Sequence, residues 1–389
     1  MSSIPGQSGA SPEAVGGLVR PVTLGDLTSE LLWPKLLRAA PLALRPERLG
    51  IAVFSLVAAG LLGRIIGPPG DRGLSAVELV LNVVQGLRDL DGRAVISACC
   101  EWLLGVSWTD MADHPWKAVL GGVPALVVLL LGYGAIARMA ACEFSQGFMV
   151  PWTRGLGFAL SRWVSLISAV LGPLTVAAIL LGLVALAGGA LFNWSVSAVL
   201  GAVLYVVALL LGLLAALILV GFALGCHLLV PAVVCEGTDA IDGAQRSFAY
   251  VVGRPLRLIV YQAVTMVILI VAVVFLDRVA DLSVRLTAWA AGALAGEDAA
   301  RALAGPEAVD GAWGVAARIL RFWQAIPGLI VGGFVLSYVA SASTVQYLLL
   351  RKLNDGQDPS EIWMPGMVGG TLAPETSPAD GPGASDDEE

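Results

Sequence analysis

Long apolar runs alternate with short polar segments along this chain, and that alternation dictates its main elements. Six runs lie at about 48–67, 118–141, 164–187, 198–234, 256–276 and 326–350. Each is long enough to cross the ~30 Å hydrocarbon core of a bilayer as a helix. The fourth exceeds one straight crossing. It either tilts, or extends past the membrane and bends near Pro231, where the missing N–H loosens a helix. The expected fold class is all-α: a polytopic membrane protein of about six transmembrane helices.

Two of the polar segments run almost in step. Cys142-Glu143 is followed by Arg154 and Arg162, and Cys235-Glu236 by Arg246 and Arg254. Segments 142–163 and 235–255 read as short amphipathic helices. In the second, Asp239 is placed to be the N-cap, and Ile241, Ala244, Phe248 and Val251 share one face. Such helices lie in the membrane interface, apolar side down. Leu24 to Leu44 has the same character. The pattern predicts three repeated units of interfacial helix plus helical hairpin, at about 23–141, 142–234 and 235–352, with Asp355 near the position equivalent to the two glutamates. Connections 68–116 and 277–325 are long and carry helical patterns; 188–197 is a short turn. Gly221 with Gly225 and Gly328 with Gly332 have the small-residue spacing that lets helices approach closely. Trp116, Trp163, Trp194 and Trp323 fall near span ends, where amphipathic rings favour the headgroup region. Residues 1–22 and 356–389 are expected to be disordered tails, flanking a membrane domain at 23–355.

Composition strengthens the membrane reading. The chain is 57% hydrophobic and 14% charged, with a mean hydropathy of +0.82, against about 25% charged residues in soluble domains. The N-terminal stretch lacks a basic region followed by an apolar one, so the first span is the expected insertion signal. The net charge of −7 owes much to the closing DDEE. Twenty Arg against three Lys suits a GC-rich bacterial genome, and so a bacterial inner membrane. Thirteen Lys and Arg flank the N-terminal, Cys-Glu and final segments; nine lie on the other side, spread over two long connections. Long loops weigh little in the positive-inside rule, so both termini are expected in the cytoplasm.

Chemistry is sparse. The five Cys include no CxxC, and the two His add little, so neither a disulfide framework nor a zinc site is expected. There is no HExxH, no GxSxG with a credible His and Asp, and no Walker A. No basic surface with interleaved aromatics suggests nucleic acid. The lipid bilayer is the expected partner, with any membrane-protein partner unknown, and no cofactor or metal is expected. Ionisable groups within membrane spans are the default functional candidates. Arg64 and Arg138 lie close enough to span ends to snorkel. His227 lies deeper, as a proton relay, a ligand, or a residue hydrogen-bonded to a neighbouring helix. Glu143 and Glu236 either form a gating or binding cluster, or each pairs with an Arg of its own interfacial helix (Arg154 or Arg162; Arg246 or Arg254) and fixes the bend.

The segment VPAVVCEGTDAIDGAQRSFAYVVGRPLRLIVYQ carries Pro231, Glu236, Ala244, Arg246, Ser247, Gly253 and Pro255. In this order it resembles a broad group of bacterial multi-spanning proteins, as does the ending from Tyr347 to Gly356. That group includes six-span proteins and the membrane domain attached to some glycerophosphodiester phosphodiesterases. The resemblance implies the fold, over spans two to six, and not the phosphodiesterase activity, whose catalytic domain this chain lacks. The expected function is a non-enzymatic integral membrane protein, a scaffold or accessory subunit. The alternative is a transporter or lipid-handling permease with a polar cavity near His227, Glu236 and Gln346. An intramembrane enzyme would need convergent ionisable groups at depth, which the sequence does not supply.

Overall fold

The structure is a computed structural model that describes residues 32–66, 75–106, 113–294 and 312–369, and the isolated positions 111, 296, 299 and 303. The expected tail at 1–22 lies outside these residues, as do residues 24–31 of the first amphipathic segment.

Among the described residues every element is helical. A 3-10 turn at Trp33–Arg38 leads into α1, Ala39–Ala43. Then come α2 (Pro46–Gly63), α3 (Ala76–Arg88), α4 (Gly92–Leu104) and α5 (Pro115–Gln146). Next are α6 (Trp152–Ser161), α7 (Trp163–Phe192) and α8 (Ser195–Glu236). The chain continues with α9 (Ala240–Gly253), α10 (Pro255–Gly292) and α11 (Ala312–Asp355). Helices α2, α5, α7, α8, α10 and α11 are long and apolar enough to cross a membrane, and each overlaps one of the six runs.

Helix α11 is the hub. It packs against α1, α2, α5, α8 and α10, and every residue from Val331 to Arg351 except Val339 is buried. Helices α3 and α4 form a hairpin whose first turn is closed by a capping box between Ser75 and Glu78. That hairpin packs on α2, α10 and α11. Helices α7 and α8 form an outer hairpin that leaves most of its surface facing outward.

Three helices outrun a bilayer. Helices α8, α10 and α11 have 42, 38 and 44 residues, which is about 57–66 Å at a rise of about 1.5 Å per residue. Two sequence boundaries shift accordingly. Residues 277–292 are no loop but continue α10 without a break, and 312–325 open α11. Helix α8 also runs on through Pro231 to Glu236.

Helices α5, α8 and α11 close on left-handed glycines: Gly147 (φ 76°), Gly237 (φ 60°) and Gly356 (φ 72°). Only glycine adopts this conformation without a Cβ penalty. We call this the capped end of the bundle. The Cys-Glu pairs do not hold the same place relative to these caps. Gly147 N–H donates to Glu143 C=O, whereas Gly237 N–H donates to Val233 C=O. Glu143 therefore corresponds to Val233 by helix end, three residues before Glu236. A three-residue offset keeps both carboxylates near the same helix face.

Beyond Gly356 the expected disordered tail is corrected up to residue 369. Ile362 is buried and Trp363 is 9% exposed, and the Trp363 backbone N–H donates to the Cys235 carbonyl at 2.8 Å. This strap lies across the capped end because an apolar pair, Ile362-Trp363, interrupts its polar composition.

Candidate functional site

The capped end holds a layer of charged side chains. Glu143 lies on the last full turn of α5. Its Oε1 accepts from Arg45 Nε at 3.1 Å and Nη2 at 2.8 Å, and its Oε2 accepts from Arg48 Nη2. Arg48 is 2% exposed and also donates to the carbonyls of Leu42 (2.6 Å) and Met139 (3.0 Å). It thus ties α1, α2 and α5 together. The expected partners of Glu143 on α6 are corrected: Arg154 is exposed to solvent, and Arg162 donates to the carbonyls of Gly237 (2.6 Å) and Thr238 (3.4 Å). The reason is geometric. Gly147 turns the chain after one more helical turn, while the start of α2 lies directly against α5.

Glu236 ends α8. Its Oε1 accepts from Arg351 Nη1 at 2.7 Å and from the Tyr347 hydroxyl at 3.0 Å, both on α11. Its Oε2 lies 3.5 Å from Arg246 Nη1 on α9. Only this last contact is to its own short helix. Arg351 is fully buried and also donates to the Asp358 and Glu361 carbonyls of the strap. Glu236 thus has its buried charge balanced by a buried guanidinium, with a hydroxyl and a second guanidinium beside it.

The last carbonyls of any helix lack internal partners. Here α8 finds them one by one: Gly237 N–H for Val233, Arg138 Nη1 (3.1 Å) for Val234, Trp363 N–H for Cys235, and Arg162 for Gly237. Cations at a helix C-terminus also oppose its dipole. The snorkelling expected of Arg138 is corrected: it is 5% exposed, with its guanidinium 4.9 Å from the Phe158 ring and 5.8 Å from that of Trp363. Arg162 stacks on Trp363 too, at 5.1 Å. The indole is therefore held by two cations, and it rests where a Cβ on Gly237 would be 2.3 Å away. Arg64, by contrast, is exposed at the far end.

Near this layer, Tyr250 of α9 donates to Asp355 at 2.5 Å. Burial, reinforced by that hydrogen bond to a carboxylate, pushes its phenol above the ordinary value. Arg254 is half-buried at the α9–α10 junction. Of the face expected of α9, Val251 is buried and Ala244 and Phe248 are half-buried, and the contact surface is widened on one side. Gly243, Ser247, Tyr250 and Val251 are buried, whereas Ile241 is 68% exposed. The closeness comes from α8: a Cβ on Gly221 would meet Phe248, and one on Gly225 would meet Val251. The small-residue pair thus serves α9 and not another span.

His227 and Gln346 meet in a separate place. They line a cavity of ~130 Å³ with Gln262, Thr265, Tyr338 and Ser343. Gln346 is 1% exposed and reaches the Leu258 carbonyl only at 3.5 Å. Its neighbours' hydroxyls are committed: Thr265 to the Tyr261 and Gln262 carbonyls, Tyr338 to the Thr265 carbonyl at 3.0 Å, and Ser343 to Val339 and Tyr133. Among the described residues His227 Nε2 has no partner. Glu236, expected in such a cavity, belongs instead to the charged layer.

Sequence reasoning singled out both glutamates but missed Arg48 and Arg351 as partners, and missed Trp363. The signal for Arg351 was its place in YLLLRK, directly after an apolar run. Among the described residues no group of three or more His, Cys, Asp or Glu is placed to hold a metal ion. The chain matches no family model, no curated protein and no solved structure.

Proposed function

We propose that this chain is a non-enzymatic integral membrane protein of a bacterial inner membrane, acting as a scaffold or accessory subunit. The α7–α8 hairpin carries this reading. In its most apolar stretches only 11% of α7 and 6% of α8 residues are buried within the chain, at mean hydropathies of 2.4 and 3.1. Its own bundle engages it chiefly through the last turns of α8. A hairpin so long and so weakly engaged offers its flanks to lipid and to a partner's helices. The charged layer supports the same reading, because Glu143 and Glu236 spend their hydrogen-bonding capacity on holding helix ends together. In this proposal the chain consists of three units of short helix plus hairpin, each ending at a glycine cap, with the capped end and both termini cytoplasmic. The resemblance of the 230–262 segment to six-span bacterial proteins supports that arrangement.

Photo-crosslinking tests it. Benzoylphenylalanine at Leu186 or Leu209, both outward-facing, is expected to give discrete protein adducts in native membranes, while the same group at Val271 of α10 gives lipid adducts only. Equal, diffuse labelling at all three sites would overturn the subunit reading. For topology, a reporter joined after residue 369 is expected to act in the cytoplasm, and one placed at 67–74 in the opposite compartment. The transporter or lipid-handling reading keeps one observation in its favour, the polar cavity at His227.

A further inference from the structure

We infer that the cavity at His227 is a lateral binding site for the uncharged, hydroxyl-bearing head group of a membrane lipid. Three observations lead there. The first is depth. His227 precedes Glu236 by nine residues, Gln346 precedes Asp355 by nine, and Gln262 follows Arg254 by eight. At about 1.5 Å per residue all three lie about 12–14 Å below the capped end, within hydrocarbon if that end marks the interface. The second is access. Helices α8 and α10 each pack on α11 but barely approach one another. The cavity between them is floored by α11, and His227, Gln262, Met266 and Val339 along it are half-buried, so it faces sideways between α8 and α10.

The third observation is the inventory of groups. Among the described residues no Asp, Glu, Lys or Arg lines the cavity, so an ionic head group would find no countercharge in a medium where an unpaired charge is costly. The hydroxyls have their protons committed to carbonyls, which leaves lone pairs. His227 has an unpartnered ring nitrogen, and Gln346 makes one long bond. The free capacity is thus a mixture of donors and acceptors. One alcohol group, which both donates and accepts, answers it. The volume, ~130 Å³, corresponds to about four waters at ~30 Å³ each, room for a head group of a few heavy atoms. Met266 and Leu269 beside it offer an apolar path for a chain. Diacylglycerol has this chemistry.

The full chain in nanodiscs, exposed to diacylglycerol carrying a diazirine and an alkyne on one acyl chain, tests the site. Phosphatidylcholine carrying the same modified chain is the control. Diacylglycerol is expected to label peptides spanning 262–269 and 338–346 at least fivefold more than phosphatidylcholine does, and unlabelled diacylglycerol should compete. His227→Leu and Gln346→Leu should each lower that labelling severalfold without changing labelling of the outer face of α7. Gln346 is buried, so its variant is read only if it elutes as native; His227→Leu, on the cavity rim, stands alone if it does not. Equal labelling by the two lipids, labelling unchanged in His227→Leu, or no labelling of these peptides (a cavity that holds water only) would each overturn the inference.

Discussion

At the scale of single residues, the decisive feature is that each buried charge at the capped end has a partner from a distant part of the chain. Arg351 and Glu236 are 115 positions apart, Arg48 and Glu143 are 95 apart, and Arg138 reaches the Val234 carbonyl across 96. Removing one member leaves the other buried and uncompensated, a loss of about 3–5 kcal/mol. Glu236→Gln is therefore expected to lower the thermal midpoint and folded yield in detergent sharply, read by size-exclusion fluorescence. Wild-type midpoint with lost function would show the carboxylate to be functional instead. Tyr250 supplies a pH test. Its folded pKa lies above the unfolded value of ~10, so its contribution is fully present below about pH 10 and is lost as the pH rises through the folded value. The fall in thermal midpoint above pH 10 should be shallower in Tyr250→Phe than in the native chain. An identical alkaline limb in both would refute the role of that hydrogen bond. The glutamates were legible as special because a charge beside an apolar run is rare. Their partners were not, since sequence proximity favoured the arginines of the next helix and packing chose others.

At the scale of elements, small residues set how near helices come. A Cβ on Gly132 of α5 would lie 2.1 Å from Ser55 Oγ of α2, so the two helices meet almost backbone to backbone there, as membrane helices do where small residues face each other. Gly132→Ala is expected to destabilise by about 1–3 kcal/mol through overpacking, and Ser55→Gly in the same chain should restore part of that loss by vacating the space. No rescue in the double variant would place the strain elsewhere. The strap is an element in its own right. Trp363→Ala removes the ring that Arg138 and Arg162 share and uncovers the end of α8. Cleavage by limited proteolysis between 356 and 369 should rise several-fold, with the six-helix core left intact. Gly237→Ala should do the same by a different route, since its Cβ meets the indole and its left-handed backbone disfavours any side chain. Unchanged protection in both variants would show that the strap is held without the indole, by Ile362 and by the Arg351 bonds to the Asp358 and Glu361 carbonyls.

At the scale of the whole molecule, the bundle is asymmetric. Helix α11 is enclosed by five neighbours, while the most apolar stretches of the α7–α8 hairpin are little buried, and α8 and α10 stand apart over the cavity at His227. The number of apolar helices, their order and their approximate bounds follow from the sequence by itself. The reason is that transfer into hydrocarbon sums over consecutive residues, and a helix satisfies its own backbone within each run. The glycine caps are local too: glycine takes the left-handed backbone that ends a helix with no Cβ penalty. Tertiary structure alone decided which arginine meets which glutamate, that residues 356–369 close over α8, and that His227 and Gln346 share one cavity. Those outcomes depend on helix faces brought together across 95 residues or more. Their energies come from desolvated pairs and close packing, which no local window of the chain contains.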